Sequence, residues 1–301
     1  MSEEHEALEA IAKIPLLEGY EGPVERLGGL TNLVFRAGEW CLRVPGKGTE
    51  EYIDRGNEAI AAKEAARVGV GPEVFHADAA TGLMVTRFIR GATTMTPEGF
   101  KATAGAPARA GEAFRRLHDS GAVFPARFEL FAMIDDYLAV LSTKDVALPE
   151  GYHDGLREAE TVRAALAAHP LPVVGCHCDP LCENFLDTGE RMWIVDWEYS
   201  GMNDPMWDLG DLSVEAEFDA AQEEAMIRAY FGGEPNPAER GRIVIYKAMC
   251  DLLWTLWGLI QLANGNPAAD FRAYADGRFA RCRALMADPV FAASVMAVAK
   301  G

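Results

Sequence analysis

The sequence predicts an α+β protein of two lobes, a small lobe built on an antiparallel sheet and a larger lobe that is mainly helical. Short, alternating apolar segments dominate the first 90 residues, and long amphipathic segments dominate the rest of the 301-residue chain. The pattern changes at residues 89–91, which resemble a hinge. We therefore expect an N-terminal lobe at residues 1–90 and a C-terminal lobe at residues 91–301.

The N-terminal lobe is predicted to hold one helix and a small sheet. The helix is alanine-rich and covers residues 57–68, because Gly69 and the Gly71-Pro72 pair end it. The predicted strands are residues 33–36, 40–44, 73–76 and 83–89.

The C-terminal lobe is predicted to contain long amphipathic helices at residues 107–120, 129–143, 154–168, 219–231, 237–263 and 268–286. Two short apolar strands, at residues 171–175 and 192–196, flank a polar loop. We expect the chemistry in that loop, since functional groups tend to lie on loops held by a rigid scaffold.

Net charge limits the partners of the protein. The chain has 46 acidic and 28 basic residues, a net charge of −18, and such a surface repels nucleic-acid phosphates and anionic lipids while it attracts small cations. Nucleic-acid and membrane partners are therefore not expected. No signal peptide and no run of ~20 apolar residues is apparent, so a cytoplasmic location is expected.

The cysteines are expected to be free thiols of a reducing compartment. Cys176, Cys178 and Cys182 lie close together in the chain. A zinc site normally has two residues between paired cysteines and a second such pair, and this chain has neither. Zinc is therefore not expected.

The polar loop carries the groups that phosphoryl transfer needs. Such a reaction requires a carboxylate to orient or deprotonate the attacking hydroxyl and oxygen ligands to hold magnesium on the phosphates. Asp179, Asn184 five residues later and Asp196 twelve residues after that supply them. Each residue alone is typical of a turn, but their order between two apolar strands favours a catalytic loop. His177 is interpreted as a structural anchor of this loop.

The segment from residue 176 to 199 resembles the aminoglycoside phosphotransferase and choline kinase superfamily, a branch of the protein-kinase-like fold. Residues 196–210 are most similar to choline/ethanolamine kinases, and the resemblance covers roughly residues 27–279. It implies a bilobal protein-kinase-like fold that uses ATP and Mg²⁺. It also implies that Asp179 is the catalytic base, with His177 beside it, and that Asn184 and Asp196 are magnesium ligands.

The glycine-containing segment of Gly28, Gly29, Thr31 and Asn32 lies where the family carries its nucleotide loop. Glycines allow backbone N–H groups to approach phosphates closely. A Gly-Gly pair is also typical of an ordinary hairpin turn, and the chain has neither the protein-kinase glycine triplet nor a Walker A sequence at this point. The assignment to nucleotide binding therefore depends on the resemblance.

The remaining nucleotide contacts are also expected in the N-terminal lobe. Arg43 lies on an alternating strand where protein kinases place their phosphate-binding lysine and choline kinases an arginine. Lys47 is the rival cation. Glu58 matches the helix glutamate that pairs with the phosphate-binding cation, here Arg43, in the family. The resemblance places Thr86 and Phe88 where the inter-lobe hinge contacts adenine.

The acceptor is expected to be a small cationic alcohol, most simply choline. A quaternary ammonium group is recognised by aromatic faces and nearby carboxylates. Trp254 and Trp257 are three residues apart on one helix, and with Tyr274, Tyr199 and Glu215 they match the family's choline pocket. Tryptophans at helical spacing are also typical of an ordinary core.

Glu198 and Asp211 are expected to add negative potential near that pocket. Eukaryotic choline kinases have a further tyrosine past Glu215, which residues 216–220 lack. This difference leaves ethanolamine or a thiamine-like alcohol open as the acceptor. The sequence is also compatible with an aminoglycoside phosphotransferase and with a non-catalytic, ligand-binding pseudokinase, and the oligomeric state, monomer or homodimer, is open.

Overall fold

The computed structural model describes residues 3–29, 32–46 and 53–301. Its helices in these ranges are α1 (Glu3–Ile11), α2 (Arg55–Arg67), α3 (Pro97–Ala102), α4 (Ala106–His118), α5 (Leu130–Leu141), α6 (Tyr152–Ala168), α7 (Met206–Glu215), α8 (Ala220–Phe231), α9 (Pro237–Ala263), α10 (Phe271–Ala287) and α11 (Pro289–Val298). Its strands in the same ranges are β1 (Val24–Gly28), β2 (Leu33–Ala37), β3 (Trp40–Val44), β4 (Val74–Ala77), β5 (Met84–Arg87), β6 (Thr93–Thr94), β7 (Val174–Cys176), β8 (Phe185–Asp187), β9 (Met192–Ile194) and β10 (Gly201–Asn203).

The N-terminal lobe is an antiparallel sheet with the strand order β1-β2-β3-β5-β4. Its core contains Phe35 and Leu42 from the sheet and Ala7, Ala10 and Ile11 from α1. The four predicted strands are confirmed, whereas α1 and β1 were not predicted. With the mainly helical remainder of the chain, this confirms the α+β fold class.

Helix α2 joins the two lobes. Asp54 caps its start, because the Asp54 carboxylate accepts from the backbone N–H groups of Gly56 at 2.9 Å and Asn57 at 3.0 Å. The buried alanine face of the helix, residues 61, 62 and 65, belongs to the same apolar core as the C-terminal helices. This shared core connects the helix of the N-terminal lobe with the C-terminal lobe.

The C-terminal lobe is arranged around α9, which packs against α5, α7, α10 and α11. Asn236 and Glu239 form a reciprocal capping box at its start. By length and composition α9 could cross a membrane, but 83% of its most apolar stretch is buried inside the protein, as in a core helix. The six predicted helices are confirmed, and α3, α7 and α11 were not predicted.

The two strands that were predicted to flank the polar loop belong to different sheets. Strand β7 pairs with β10, while β9 pairs with β8, which in turn pairs with β6. Strand β7 also begins at Val174 and not at residue 171. The backbone N–H of Ile194 in β9 donates to the carbonyl of Val70 at 2.9 Å, so this part of the C-terminal lobe reaches the N-terminal lobe.

Candidate active site

The polar loop begins on a strained residue that α7 holds in place. Cys178 has a positive φ of 70°, which is unfavourable for a residue with a side chain. The backbone N–H groups of His177 and Cys178 both donate to the Asp208 carboxylate at 2.8 Å. The Trp207 indole N–H donates to the Cys178 carbonyl at 3.1 Å. These bonds compensate the strain and fix the loop to the start of α7.

A buried network supports Asp208 from its other side. The Nε2 atom of His118 lies 3.0 Å from Asp208 Oδ2, and the Nδ1 atom of the same ring lies 2.9 Å from the Tyr230 hydroxyl. His118 comes from α4 and Tyr230 from α8. Three helices therefore determine the position of one loop.

His177 links the two halves of the predicted site. Its ring is completely buried, packs edge-on against Trp197, and donates from Nε2 to the carbonyl of Val195 at 2.9 Å. Burial lowers the pKa of His177, which favours the neutral ring. These contacts fit the interpretation of His177 as an anchor between the loop and the residue before Asp196.

The structure brings Asp179, Asn184 and Asp196 together. The side-chain amide of Asn184 donates to the Asp179 carbonyl at 3.0 Å, and the backbone carbonyl of Asn184 accepts from Val195 N–H at 2.9 Å. Asp196 has a positive φ of 65°. Burial and the neighbouring Glu198 carboxylate raise the pKa of Asp196 well above its usual range, and Asp179 contributes to the same effect.

Asp179 has the electrostatic surroundings of a base that works near neutral pH. Burial first and the Glu215 carboxylate second raise the pKa of Asp179 to about 7, and the Arg278 guanidinium opposes them. A carboxyl group with such a pKa can take up and release a proton near physiological pH.

Asp196 and Asn184 fit a magnesium ion by their chemistry. Asp196 Oδ1 is buried and has no hydrogen-bond partner among the described residues. The amide nitrogen of Asn184 donates to the loop, which leaves its amide oxygen as a ligand atom for a metal ion. Carboxylate and amide oxygens are the ligands that magnesium prefers.

The predicted pair of Arg43 and Glu58 is formed in the structure. Arg43 Nη1 contacts both Glu58 Oε1 and, at 2.8 Å, Glu198 Oε1. Arg55 at the start of α2 pairs with the same two glutamates. Its Nη1 atom lies 2.8 Å from Glu58 Oε2 and 2.5 Å from Glu198 Oε1. Glu198, which was expected to add negative potential near the acceptor pocket, therefore pairs with cations of the N-terminal lobe. The two guanidinium groups attract this carboxylate, whereas the negative faces of aromatic rings do not.

The predicted nucleotide loop is described in part. Gly28 ends β1, and Gly29 has a φ of 111° and no room for a side chain, since an added Cβ would lie 2.1 Å from the Asn32 carbonyl oxygen. The Asn32 side chain is engaged, donating to Glu198 at 2.8 Å and accepting from Gly46 N–H at 3.1 Å. Asn32 thus links the loop to both lobes, and its role in nucleotide binding remains a prediction. Thr31 and Lys47 lie outside the described residues.

The predicted hinge residues lie in β5 and directly after it. Thr86 is a paired residue of β5, opposite Cys41 and Val74. The backbone N–H of Phe88 donates to the Glu39 carbonyl at 2.9 Å, and the Arg36 guanidinium lies 4.4 Å from the centre of the Phe88 ring. This N–H is therefore already engaged where β5 ends beside the start of β3, and the assignment of Thr86 and Phe88 to adenine contacts remains a prediction.

The four aromatic residues of the predicted acceptor pocket form one cluster. The rings of Tyr199 and Trp254 are 5.4 Å apart, and those of Trp257 and Tyr274 are 5.7 Å apart. The Trp257 indole N–H donates to the Tyr199 hydroxyl at 3.0 Å and joins the two pairs. Trp254 is buried, whereas the other three are partly exposed.

Charged side chains line the inner side of this aromatic cluster. Glu215 forms an ion pair with Arg278. Arg278 also pairs with Asp251 at 3.1 Å, and its guanidinium lies 4.9 Å from the centre of the Tyr274 ring. Asp211 accepts from the Trp254 indole N–H at 3.2 Å.

Comparison with known proteins identifies the family. The model of the phosphotransferase enzyme family that includes the aminoglycoside phosphotransferases matches residues 24–243. The crystal structure of a choline/ethanolamine kinase family protein from Mesorhizobium loti is 72% identical, covers all of both chains and superposes with a TM-score of 0.94. The chain belongs to the choline/ethanolamine kinase family.

More distant proteins share the same architecture. The choline kinase LicA from Streptococcus pneumoniae is 26% identical, with 95% of this chain and 99% of that chain covered and a TM-score of 0.79. Protein LicA of Haemophilus influenzae is 25% identical over 265 residues, which are 83% of this chain and 76% of that protein. Aminoglycoside 2′-phosphotransferase-IIIa, 16% identical with a TM-score of 0.69, shares the fold. The chain is thus a phosphotransferase with an alcohol acceptor.

Sequence reasoning missed four residues of this kinase site. Asp208 was part of the segment that carried the resemblance but was assigned no role, and His118 gave no motif. Arg55 and Arg278 each lie in a helix whose charges resemble an ordinary solvated face. Only their burial beside carboxylates reveals them, and burial of a single charge is not visible in a sequence pattern.

Proposed function

We propose that the protein is an ATP-dependent choline kinase that transfers the γ-phosphoryl group of ATP to the choline hydroxyl. The single observation that carries this proposal is the aromatic cluster of Tyr199, Trp254, Trp257 and Tyr274 beside Glu215, whose charge also acts on Asp179. A trimethylammonium group binds to aromatic faces and is favoured by nearby negative charge. LicA from Streptococcus pneumoniae, with the same fold, is a choline kinase.

In the proposed reaction, Asp179 accepts the proton of the choline hydroxyl. The hydroxyl oxygen forms a bond to the γ-phosphorus while the bond from that phosphorus to the β,γ-bridging oxygen breaks, so ADP leaves with the bond electrons. The raised pKa of Asp179, about 7, matches this role. Near neutral pH the carboxylate is ionised in a fraction of the protein molecules, and it is basic enough to take the proton. Positioning of the two reactants supplies much of the rate enhancement.

The nucleotide side of the proposal uses the other predicted residues. Arg43, oriented by Glu58, would neutralise ATP phosphates. Asn184 and Asp196 would hold magnesium, which when bound neutralises charge on the phosphate oxygens. LicA has been crystallised with AMP and aminoglycoside 2′-phosphotransferase-IIIa with GDP, which supports nucleotide binding in the same cleft.

Ethanolamine is the second candidate acceptor. Ethanolamine kinase 2 of the mouse is 26% identical over 170 residues, which are 50% of this chain and 43% of that enzyme. The tyrosine that residues 216–220 lack also favours ethanolamine, because the aromatic cluster has one ring fewer. Phe218, the aromatic residue of that segment, packs against Phe100 with 5.3 Å between ring centres. A primary ammonium group would depend more on carboxylates than on rings.

An acceptor panel tests the proposal. Magnesium-dependent ADP release from ATP is measured with choline, ethanolamine, thiamine and an aminoglycoside, and each phosphorylated product is confirmed by mass. We expect turnover to be highest with choline and to stop when a chelator removes magnesium. Preference for another acceptor would contradict the choline assignment but keep the kinase, whereas ADP release that is independent of any acceptor would contradict the transfer itself.

A further inference from the structure

The acceptor region contains more buried carboxyl groups than its own cations pair with. Arg278 pairs with both Glu215 and Asp251, and Arg281 donates to Asp251 at 2.7 Å from Nε and from Nη2. Asp251 and Glu215 therefore use the two guanidinium groups. Asp211 lies one helical turn before Glu215 and forms no ion pair with a described residue.

Asp211 is also unsatisfied as a hydrogen-bond acceptor. Asp211, a residue of α7, is only 1% exposed. One carboxylate oxygen, Oδ2, accepts from the Trp254 indole at 3.2 Å, while Oδ1 is buried without a hydrogen-bond partner in the described parts of the chain. A buried carboxylate without a counter-ion is costly and persists where a ligand or function requires it.

The surroundings of Asp211 are those of the proposed acceptor pocket. The charges that act on Asp211 are Glu215, Arg278 and Asp179, and burial with Glu215 raises its pKa well above the usual range. Its partner Trp254 contacts the ring of Tyr199 at 5.4 Å. A positive charge among these rings would therefore act directly on Asp211.

We infer that Asp211 is the counter-ion of the acceptor and selects cationic alcohols over neutral alcohols of the same shape. The inference rests on the proposed function and deepens it: the aromatic rings recognise the shape of the headgroup, and Asp211 recognises its charge. The acceptor supplies the cation that the protein lacks at this position. Glu215, already neutralised by Arg278, contributes less to this selection.

The Asp211→Asn variant tests the inference, because asparagine has the same shape and keeps an oxygen for the Trp254 indole. kcat/KM is measured for choline and for dimethylbutanol, in which a carbon atom replaces the quaternary nitrogen. We expect the preference of the wild-type protein for choline to fall at least about tenfold in the variant. The loss should appear in the KM for choline, with the KM for ATP unchanged.

A matched control removes a negative charge outside the pocket. Glu217→Gln changes an exposed carboxylate six residues further on, which pairs with Lys101 at 2.8 Å, and should keep the wild-type preference. Equal losses for choline and dimethylbutanol in Asp211→Asn would overturn the inference, because they would show that Asp211 only orients Trp254.

A binding measurement separates this inference from the proposed function. Calorimetric titration with choline needs no turnover, and we expect the affinity of Asp211→Asn for choline to fall by at least about tenfold relative to the wild type. Unchanged affinity in the variant would overturn the role of Asp211 even if wild-type turnover with choline is confirmed. Wild-type binding of choline without its phosphorylation would contradict the proposed reaction and leave the counter-ion role supported.

Discussion

At the scale of single residues, Asp179 is placed where an ionised carboxylate is costly for the folded protein. Burial first and Glu215 second raise its pKa from 3.8 to about 7. Between these two values the folded state binds a proton that the unfolded state releases. The free energy of unfolding therefore decreases as the pH rises through this window, and the full penalty is present above about pH 7.

Asp179→Asn should abolish turnover and at the same time stabilise the protein at alkaline pH. The amide cannot accept the proton, and it carries no charge to be buried. At about pH 8 we expect a gain on the order of 4 kcal/mol in the free energy of unfolding, shrinking as the pH falls toward about 4. Urea unfolding at several pH values checks this. Asp135→Asn, an exposed carboxylate of α5, is the control, and a pH-independent effect of Asp179→Asn would contradict the explanation.

The proximity of site residues was predictable where they are close along the chain. The order of Asp179, Asn184 and Asp196 along the chain was sufficient to place them together, because a short loop and the hairpin of β8 and β9 join them. The partners of Asn32 and Phe88 could not be predicted. Asn32 donates to a glutamate 166 residues away, and the Phe88 N–H donates to the carbonyl of Glu39, which directly precedes the paired strand β3, so tertiary packing decides both.

At the scale of elements, α9 and α7 show what a sequence pattern can and cannot reveal. Helix α9 has a capping box at its start and a long apolar run, and its predicted bounds agree with the structure. Helix α7 was missed because it is buried on nearly every side and carries Asp208, Gly210 and Asp211 within an apolar segment. Such a helix has no alternation between a polar and an apolar face.

Asp208→Asn should loosen the loop that α7 holds. An amide offers one oxygen in place of two, so one of the two backbone N–H groups that Asp208 accepts would lose its partner. We expect a loss of about 3 kcal/mol in the free energy of unfolding and faster hydrogen exchange at residues 177 and 178. Asp219→Asn is the matched control, because Asp219 caps α8 and asparagine caps equally well. Similar unfolding energies of the two variants would show that the loop does not depend on Asp208.

At the scale of the whole molecule, the two lobes are joined by an ionic cluster as well as by apolar packing. Glu198 of the C-terminal lobe accepts from Asn32, Arg43 and Arg55 of the N-terminal lobe. The elements of each lobe could be predicted from local periodicity, but this contact could not, since it depends on how the lobes pack. The boundary near residue 90 remains a prediction, as does the division of roles between the lobes.

Glu198→Ala should destabilise the protein far more than removal of an exposed carboxylate from a similar pair. The side chains of Glu198, Arg43 and Arg55 are 7%, 11% and 9% exposed, so the variant leaves two buried guanidinium groups sharing Glu58 and costs about 3 kcal/mol. Glu73→Ala is the control. It breaks a pair with Arg87 in which both side chains are about half exposed, and such a pair contributes about 0.5 kcal/mol or less.

Urea unfolding of both variants at low and high salt measures the difference. High salt should screen the Glu73 pair and change little for the buried cluster. Hydrogen exchange then shows where the stability is lost: in Glu198→Ala we expect faster exchange in β3 and α2, which carry Arg43 and Arg55, with little change in α9. An equal cost for the two variants, or faster exchange confined to the C-terminal lobe, would mean that apolar packing alone holds the lobes together and that Glu198 serves only the site around Asp196.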